Sequence, residues 1–205
     1  TTNDTDNDLS VLINGHGAFA ARADYMTGSR PRSVAVADLD GDGDSDLMTA
    51  NEFGASVSVL LSDGNGLFSS HIDYAIDSPA FSVAAADLDG DGDIDVAAVG
   101  STVTILINNG SGTLTVQSNY PAGGYFIAAS DMNGDGTADL VGADYGSVWV
   151  LMNNGDGSFL APLDYAAGNY IEPVALADID SDDDVDIVKA NFYSSNISIL
   201  RNNGD

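Results

Sequence analysis

Apolar residues in this chain fall into short runs, separated by clusters of Gly, Asn, Asp and Ser. Thr102-Val-Thr-Ile-Leu-Ile107 alternates, and Val57-Ser-Val-Leu-Leu61, Val148-Trp-Val-Leu-Met152 and Ile197-Ser-Ile-Leu200 repeat its pattern. A period of two turns alternate side chains to opposite faces, so each run reads as a strand. Phe81-Ser-Val-Ala-Ala-Ala86 reads as a short first strand, and Val96-Ala-Ala-Val99, after the acidic segment that follows it, as a second. Asn108-Asn-Gly-Ser-Gly112 tolerates positive φ and predicts a tight turn into a further strand, Thr113-Leu-Thr-Val116, running on to Tyr120. Four short strands joined in this way make one antiparallel sheet. Nothing reads as a helix longer than a turn, and no run approaches the ~18 apolar residues that span a bilayer.

The unit recurs. Turns follow the other third strands at Asp63-Gly-Asn-Gly66 and Asn153-Asn-Gly-Asp-Gly157, with Phe68 and Phe159 after them. The fourth strands end in Tyr25, Tyr74, Tyr120 and Tyr165, which are read as packing between sheets. Pro31, Pro79, Pro121 and Pro173 lie in the connections to the next unit. First strands carry Ala at repeated places (Ala35, Ala37, Ala84, Ala86, Ala128, Ala175, Ala177), and small residues suit strands crowded around an axis. Sheets of four strands repeated every 40–50 residues predict an all-β fold, a β-propeller of radial antiparallel blades. Residues 1–205 are expected to form one repeat domain, with repeats near 3–50, 51–98, 99–142 and 143–190 and a partial repeat over 191–205.

The phase of the repeat matters at the termini. Leu9-Ser-Val-Leu-Ile13 reads as a third strand, and so does Ile197-Ser-Ile-Leu200. The expectation is therefore an incomplete first blade, Leu9–Tyr25, complemented by Pro173–Lys189 of the same chain or of another copy. The chain begins Thr1-Thr2-Asn3 with no initiator Met, which reads as processing or as a piece of something longer.

Charge is concentrated in the links between first and second strands. The 205 residues carry 32 acids and 5 bases, a formal net charge of −27. Nineteen of those acids sit in four nine-residue segments beginning at Asp38, Asp87, Asp131 and Asp178. Their starts are 49, 44 and 47 residues apart, so the charge is a repeated local device. The chain should repel nucleic acid and anionic membranes, which need a basic surface.

Oxygen side chains stand at every second place of each loop: Asp38, Asp40, Asp42, Asp44 and Asp46; Asp87, Asp89, Asp91, Asp93 and Asp95; Asp131, Asn133, Asp135, Thr137 and Asp139; Asp178, Asp180, Asp182, Asp184 and Asp186. So many carboxylates need a counter-charge, and a hard divalent cation with oxygen ligands supplies it. Calcium fits better than magnesium, which demands a tighter octahedron and keeps more water. About four calcium sites are expected. Positions 1, 3, 5 and 9 would offer side-chain oxygens and position 7 its backbone carbonyl, with Gly43, Gly92 and Gly136 at position 6 permitting the sharp turn. Position 12 holds Thr49, Ala98, Gly142 and Lys189 where a helix-flanked calcium hand has Glu, so the loop runs straight into a strand. The first two loops are complete, the third is poorer in charge, and the fourth has Asp183 in place of Gly.

These features resemble the FG-GAP/VCBS family of repeats, found in integrin α-subunit propellers and many bacterial surface proteins. The Ala-Asp-Leu-Asp-Gly-Asp-Gly-Asp-x-Asp loops, the apolar strand after each and the Asn-Asn-Gly-Asp-Gly-x-Phe turn carry the resemblance over nearly the whole chain. It implies a calcium-binding propeller and leaves the ligand open.

An enzyme is disfavoured on the residues themselves. Cysteine is absent, and the two histidines, His16 and His71, lie near no recognisable nucleophile motif and read as surface residues. Arg22, Arg30 and Arg32 form the one basic cluster and read as solvated. The expected function is a non-enzymatic, secreted, calcium-stabilised scaffold or binding module for cell-surface adhesion. Its expected partners are a protein or carbohydrate, or other copies of the chain through the incomplete terminal blades. The alternatives are a self-assembling subunit of a filament or surface layer, and a carbohydrate-binding accessory to a secreted enzyme.

Overall fold

Strands covered on both faces need no alternation, and the second strands show what covers them. In the computed structural model, which describes residues 1–15, 17–168 and 173–204, Val96 and Ala98 face one apolar cluster with Met48, Val57 and Val59. Ala97 and Val99, on the opposite face, join Leu140, Trp149 and Leu151. One strand thus serves two cores, because its sheet is sandwiched between neighbours.

Five antiparallel sheets follow one another as blades. The second blade is Pro31–Ala37, Asp46–Asn51, Ser56–Leu60 and Ile72–Ala75. The third is Ser82–Ala86, Asp95–Val99, Val103–Asn108 and Leu114–Tyr120. The fourth is Phe126–Ser130, Asp139–Ala143, Ser147–Leu151 and Leu163–Ala166. The fifth has Val174–Ala177, Asp186–Asn191 and Asn196–Leu200. All are simple meanders, and none of the described residues is helical. The first strand of the third blade packs against those of the second and fourth, as their alanines predict. This is the radial blade arrangement of a β-propeller.

The first blade corrects the expected phase. Thr2–Asn3 pairs with Asp8–Val11, which pairs with Ala23–Met26, so this sheet holds second, third and fourth strands. Both the second and the third strand are therefore represented at each end. Four apolar clusters join the five sheets in sequence, and among the described residues no cluster joins the first sheet to the fifth. A small hairpin, Asn14–Gly15 with Ala18–Phe19, extends the first blade. His16 lies outside the described residues.

Aromatic residues lock neighbouring blades as expected. Tyr25 meets Phe68 and Tyr120 meets Phe159 edge-to-face, with centroids 5.3 and 5.4 Å apart. The Tyr120 hydroxyl also accepts the Phe159 N–H at 2.9 Å. Trp149, the single tryptophan, lies across Gly142 on the adjacent strand. A methyl group on Gly142 would enter its six-membered ring. Gly142→Ala is expected to cost roughly 1–3 kcal/mol by overpacking, read as a lower melting temperature with calcium present. An unchanged melting temperature would show that the ring has room to move.

Meander topology sorts the loops. Links between strands one and two and between strands three and four share one end of each blade. Links between strands two and three, and between blades, share the other.

Candidate metal centres

Each acidic loop is wound around its first aspartate. Asp38 accepts the Gly41 N–H at 2.8 Å on one carboxylate oxygen and the Gly43 N–H at 2.9 Å on the other. Asp87, Asp131 and Asp178 hold the N–H groups of their own positions 4 and 6 in the same way. This winding demands a left-handed backbone at both places. Gly41 and Gly43 have φ of 73° and 91°, and the second and third loops also use glycine. The fourth loop uses Ser181 and Asp183, at φ of 66° and 71°. The strain expected at Asp183 is thus present twice, at roughly 1–2 kcal/mol for each residue lacking glycine's freedom.

The last aspartate of each loop does something that sequence reading missed. Asp46, Asp95, Asp139 and Asp186 are fully buried. One oxygen of Asp95 accepts the Leu88 N–H at 2.9 Å, and the other accepts the Asn108 N–H at 2.8 Å. Asp46, Asp139 and Asp186 repeat the clamp on Leu39 and Ser62, on Met132 and Asn153, and on Ile179 and Asn202. It ties the start of the loop to the end of the third strand or the residues just past it. Burial pushes the Asp95 carboxyl up to about 6, against the downward pull of its two backbone donors. Asp139 is raised for the same reason.

A second staple joins neighbouring blades. The Asn108 side chain donates to the Leu39 carbonyl of the preceding blade at 2.7 Å and to Ile94 of its own at 2.9 Å. Asn153 bridges Leu88 and Ala138 likewise, and Asn202 reaches Met132. The Asn recurring at or just past the end of the third strand in the third, fourth and fifth blades was the available signal; the second blade has Ser62 there.

Carboxylate oxygens converge in three loops. Asp38, Asp40 and Asp42; Asp87, Asp89 and Asp95; and Asp178, Asp180 and Asp186 each place ligand atoms within 4.8 Å of one another. Burial, then neighbouring carboxylates, hold Asp40 and Asp89 above the usual carboxylate range, while backbone N–H groups pull the other way. Asp180 and Asp184 are raised similarly. The third loop forms no such triad among the described residues. There Asn133 and Thr137 both hydrogen-bond Asp135, and Thr137 chiefly lowers its pKa. Position 7 behaves differently from positions 1, 3 and 5. The Asp44, Asp93 and Asp184 side chains lie against Gly64, Gly110 and Gly204 of the next turn. The all-oxygen donor set, its convergence and its like charge fit a hard divalent cation.

A profile of the FG-GAP-like repeat matches residues 38–98 and 131–189, which together exceed half of the chain. The chain belongs to the FG-GAP-like repeat family. No curated protein matches it by sequence. Among solved structures, this FG-GAP chain is similar to an Agrocybe aegerita lectin that recognises non-reducing terminal N-acetylglucosamine. That match has 20% identity and a TM-score of 0.59, over 95% of this chain and 60% of the lectin. It is also similar to the Vibrio cholerae biofilm matrix protein Bap1, at 21% identity and a TM-score of 0.55, over 97% of this chain and 34% of Bap1. The Photorhabdus luminescens Tc holotoxin pore matches at 18% identity and a TM-score of 0.53, over 96% of this chain and 11% of the toxin chain. The chain spans less than two thirds of each, and at these identities the likeness concerns the fold.

His71 lies 3.8 Å from Asp73. The arginines, expected to be merely solvated, are paired. Arg30 and Arg32 converge on Glu52, Arg30 stacks 4.4 Å above Phe53, and Arg22 pairs with Asp24 at 2.8 Å. Lys189 was noted only for its place after the fourth loop, yet it is fully buried. Its ammonium donates to the Asp144 carbonyl at 2.8 Å, fastening the fifth blade to the fourth. Burial lowers its pKa below the usual lysine value.

Proposed function

We propose that this FG-GAP chain is a calcium-stabilised extracellular scaffold that displays its loops for cell-surface adhesion or assembly, and that it is not an enzyme. The observation that carries the reading is the acidic loop, set at the same place in four successive blades, with carboxylate oxygens converging in three of them. A calcium ion there would be held by Asp38, Asp40, Asp42 and Asp46 and the carbonyl of Asp44, and by the corresponding residues of the other loops. Its charge would offset the mutual repulsion of the loop.

The chain's own groups supply the rest. The first aspartate winds the loop, the last anchors it to the strand, and the asparagine staple passes its position to the next blade. An order imposed on one loop is therefore felt by two sheets. An extracellular setting fits this reading, because calcium there is abundant enough to fill sites with dissociation constants of 10⁻⁴–10⁻³ M. The likeness to a lectin and to a biofilm matrix protein supports a binding or scaffold role.

Calorimetric titration of the chelated protein tests it. Calcium should bind at up to four sites, the fourth loop weaker than the first two, and Asp40→Ala should remove one strong site. Magnesium should bind more weakly. Calcium binding that never exceeds one equivalent, or four equal sites including the fourth, would contradict the assignment.

A further inference from the structure

The end of the blades opposite the acidic loops carries a different surface. A groove of about 370 Å³ runs there between the third and fourth blades. Its wall is a chain of three rings. Phe81 and Tyr125 stack with centroids 4.7 Å apart and planes at 28°, and Tyr145 meets Tyr125 edge-on at 5.6 Å. Tyr145 is 55% exposed. The floor is backbone: Gly100, Gly123 and Gly124 bring the connecting segments so close that a methyl group on any of them would strike a neighbouring carbonyl. Asp144 is the one carboxylate in the lining, and Ser101 adds a hydroxyl. Asp144 is fixed by accepting the Tyr145 N–H at 2.6 Å.

Packing does not require these rings. Phe81 and Tyr125 stand six residues ahead of their acidic loops, and the same place in the second blade is Arg32, paired with Glu52. The repeat folds with a charged side chain there, so the aromatic wall is a local departure at one blade junction. An exposed wall of this kind beside a few fixed polar groups is the composition of a ligand site.

The chemistry of the wall narrows the ligand. The rings touch each other, so they form a platform and not a cage around a cation. A net charge of −27 disfavours anions. What remains is a flat neutral molecule with an apolar face and a hydroxyl rim. We propose that the groove formed by Phe81, Tyr125 and Tyr145 binds a neutral sugar ring, its C–H face on the aromatic platform and its hydroxyls on Asp144, Ser101 and the tyrosine hydroxyls. This rests on the reading of the chain as a binding module and names its ligand class.

Trp149 provides the readout. Its indole N–H donates to the Gly123 carbonyl in the groove floor at 2.8 Å, and it is the only tryptophan. The calcium-loaded protein would be titrated with N-acetylglucosamine, galactose, mannose and glucose, following Trp149 fluorescence and saturation-transfer NMR of the sugar protons. At least one sugar should bind saturably, with a dissociation constant on the order of 1 mM. Tyr145→Ala should weaken it about tenfold, as should Asp144→Asn, while the melting temperatures of both variants stay within a few degrees of the parent. Absence of transfer to every sugar, or binding unchanged in Tyr145→Ala, overturns the proposal. Binding of choline or a lysine-rich peptide, with the sugars silent, overturns it in favour of a cation site. The two readings fail separately. A silent groove in a calcium-stabilised protein removes the sugar alone, and a protein indifferent to calcium removes the calcium scaffold alone.

Discussion

Excess chelator is expected to lower the melting temperature of this protein by tens of degrees, and restored calcium to recover it. In the folded state, three loops hold carboxylate oxygens within 4.8 Å of each other. Unfolding separates those charges, so without a cation the repulsion favours the unfolded chain. A site with a dissociation constant of ~0.1 mM in ~1 mM calcium contributes about 1.4 kcal/mol, and four contribute about 6. That is the size of a whole domain's stability. At about 2–4 °C per kcal/mol for a chain of this length, the shift is roughly 12–24 °C. Calorimetry or circular dichroism in chelator, then in calcium, measures it. Sodium chloride at equal ionic strength should recover only a small part, because the loops coordinate and do not merely need screening. A melting curve indifferent to chelator would end the calcium reading.

The contributions should be unequal. The fourth loop holds Ser181 and Asp183 in a backbone conformation that the other loops assign to glycine. That strain makes the loop costlier to hold in the binding conformation, so its calcium should bind more weakly and stabilise less. The third loop has lost two carboxylates to Asn133 and Thr137. Most of the shift is therefore expected from the first two loops.

Much of this was legible in the sequence because it repeats. Strands one to four of the third blade were readable to within a residue or two, since each is a short apolar run between turn residues. The acidic loops announced themselves by register. What could not be read depends on contacts between distant segments. Thr2–Asn3 has no apolar pattern of its own and is a strand only because Asp8–Val11 lies beside it. Asp46 looks like any other loop acid, yet it is buried and bonded to Ser62, sixteen residues on. Lys189 looks like a surface lysine until the fourth blade's carbonyls surround its ammonium. The aromatic groove combines Phe81, Tyr125 and Tyr145 from three separate connections, and only folding places those together.

Asp89→Ala and Asp95→Ala, six positions apart in one loop, should fail in opposite ways. Asp89 is partly exposed, and its carboxylate serves the loop interior. Its loss should remove one site's calcium-linked stabilisation, about 1.4 kcal/mol. In chelator the same variant should be as stable as the parent or slightly more so, because one repelling charge is gone. Asp95 is fully buried and accepts from Leu88 and Asn108. Alanine leaves both N–H groups buried without a partner, at about 1–3 kcal/mol each. It also frees the Leu88 segment, whose carbonyl accepts from Asn153 and from Gly157 of the fourth blade. In chelator the cost should be about 3 kcal/mol, or roughly 6–12 °C, and with calcium present the loss of that site's calcium-linked stabilisation, about 1.4 kcal/mol, should add to it. Asp95→Asn keeps one acceptor and should fall between. Thermal melts of the three variants, each with calcium and with chelator, decide the matter. If Asp95→Ala matches its parent once calcium is removed, the buried aspartate is a ligand only and the clamp does not hold the blade.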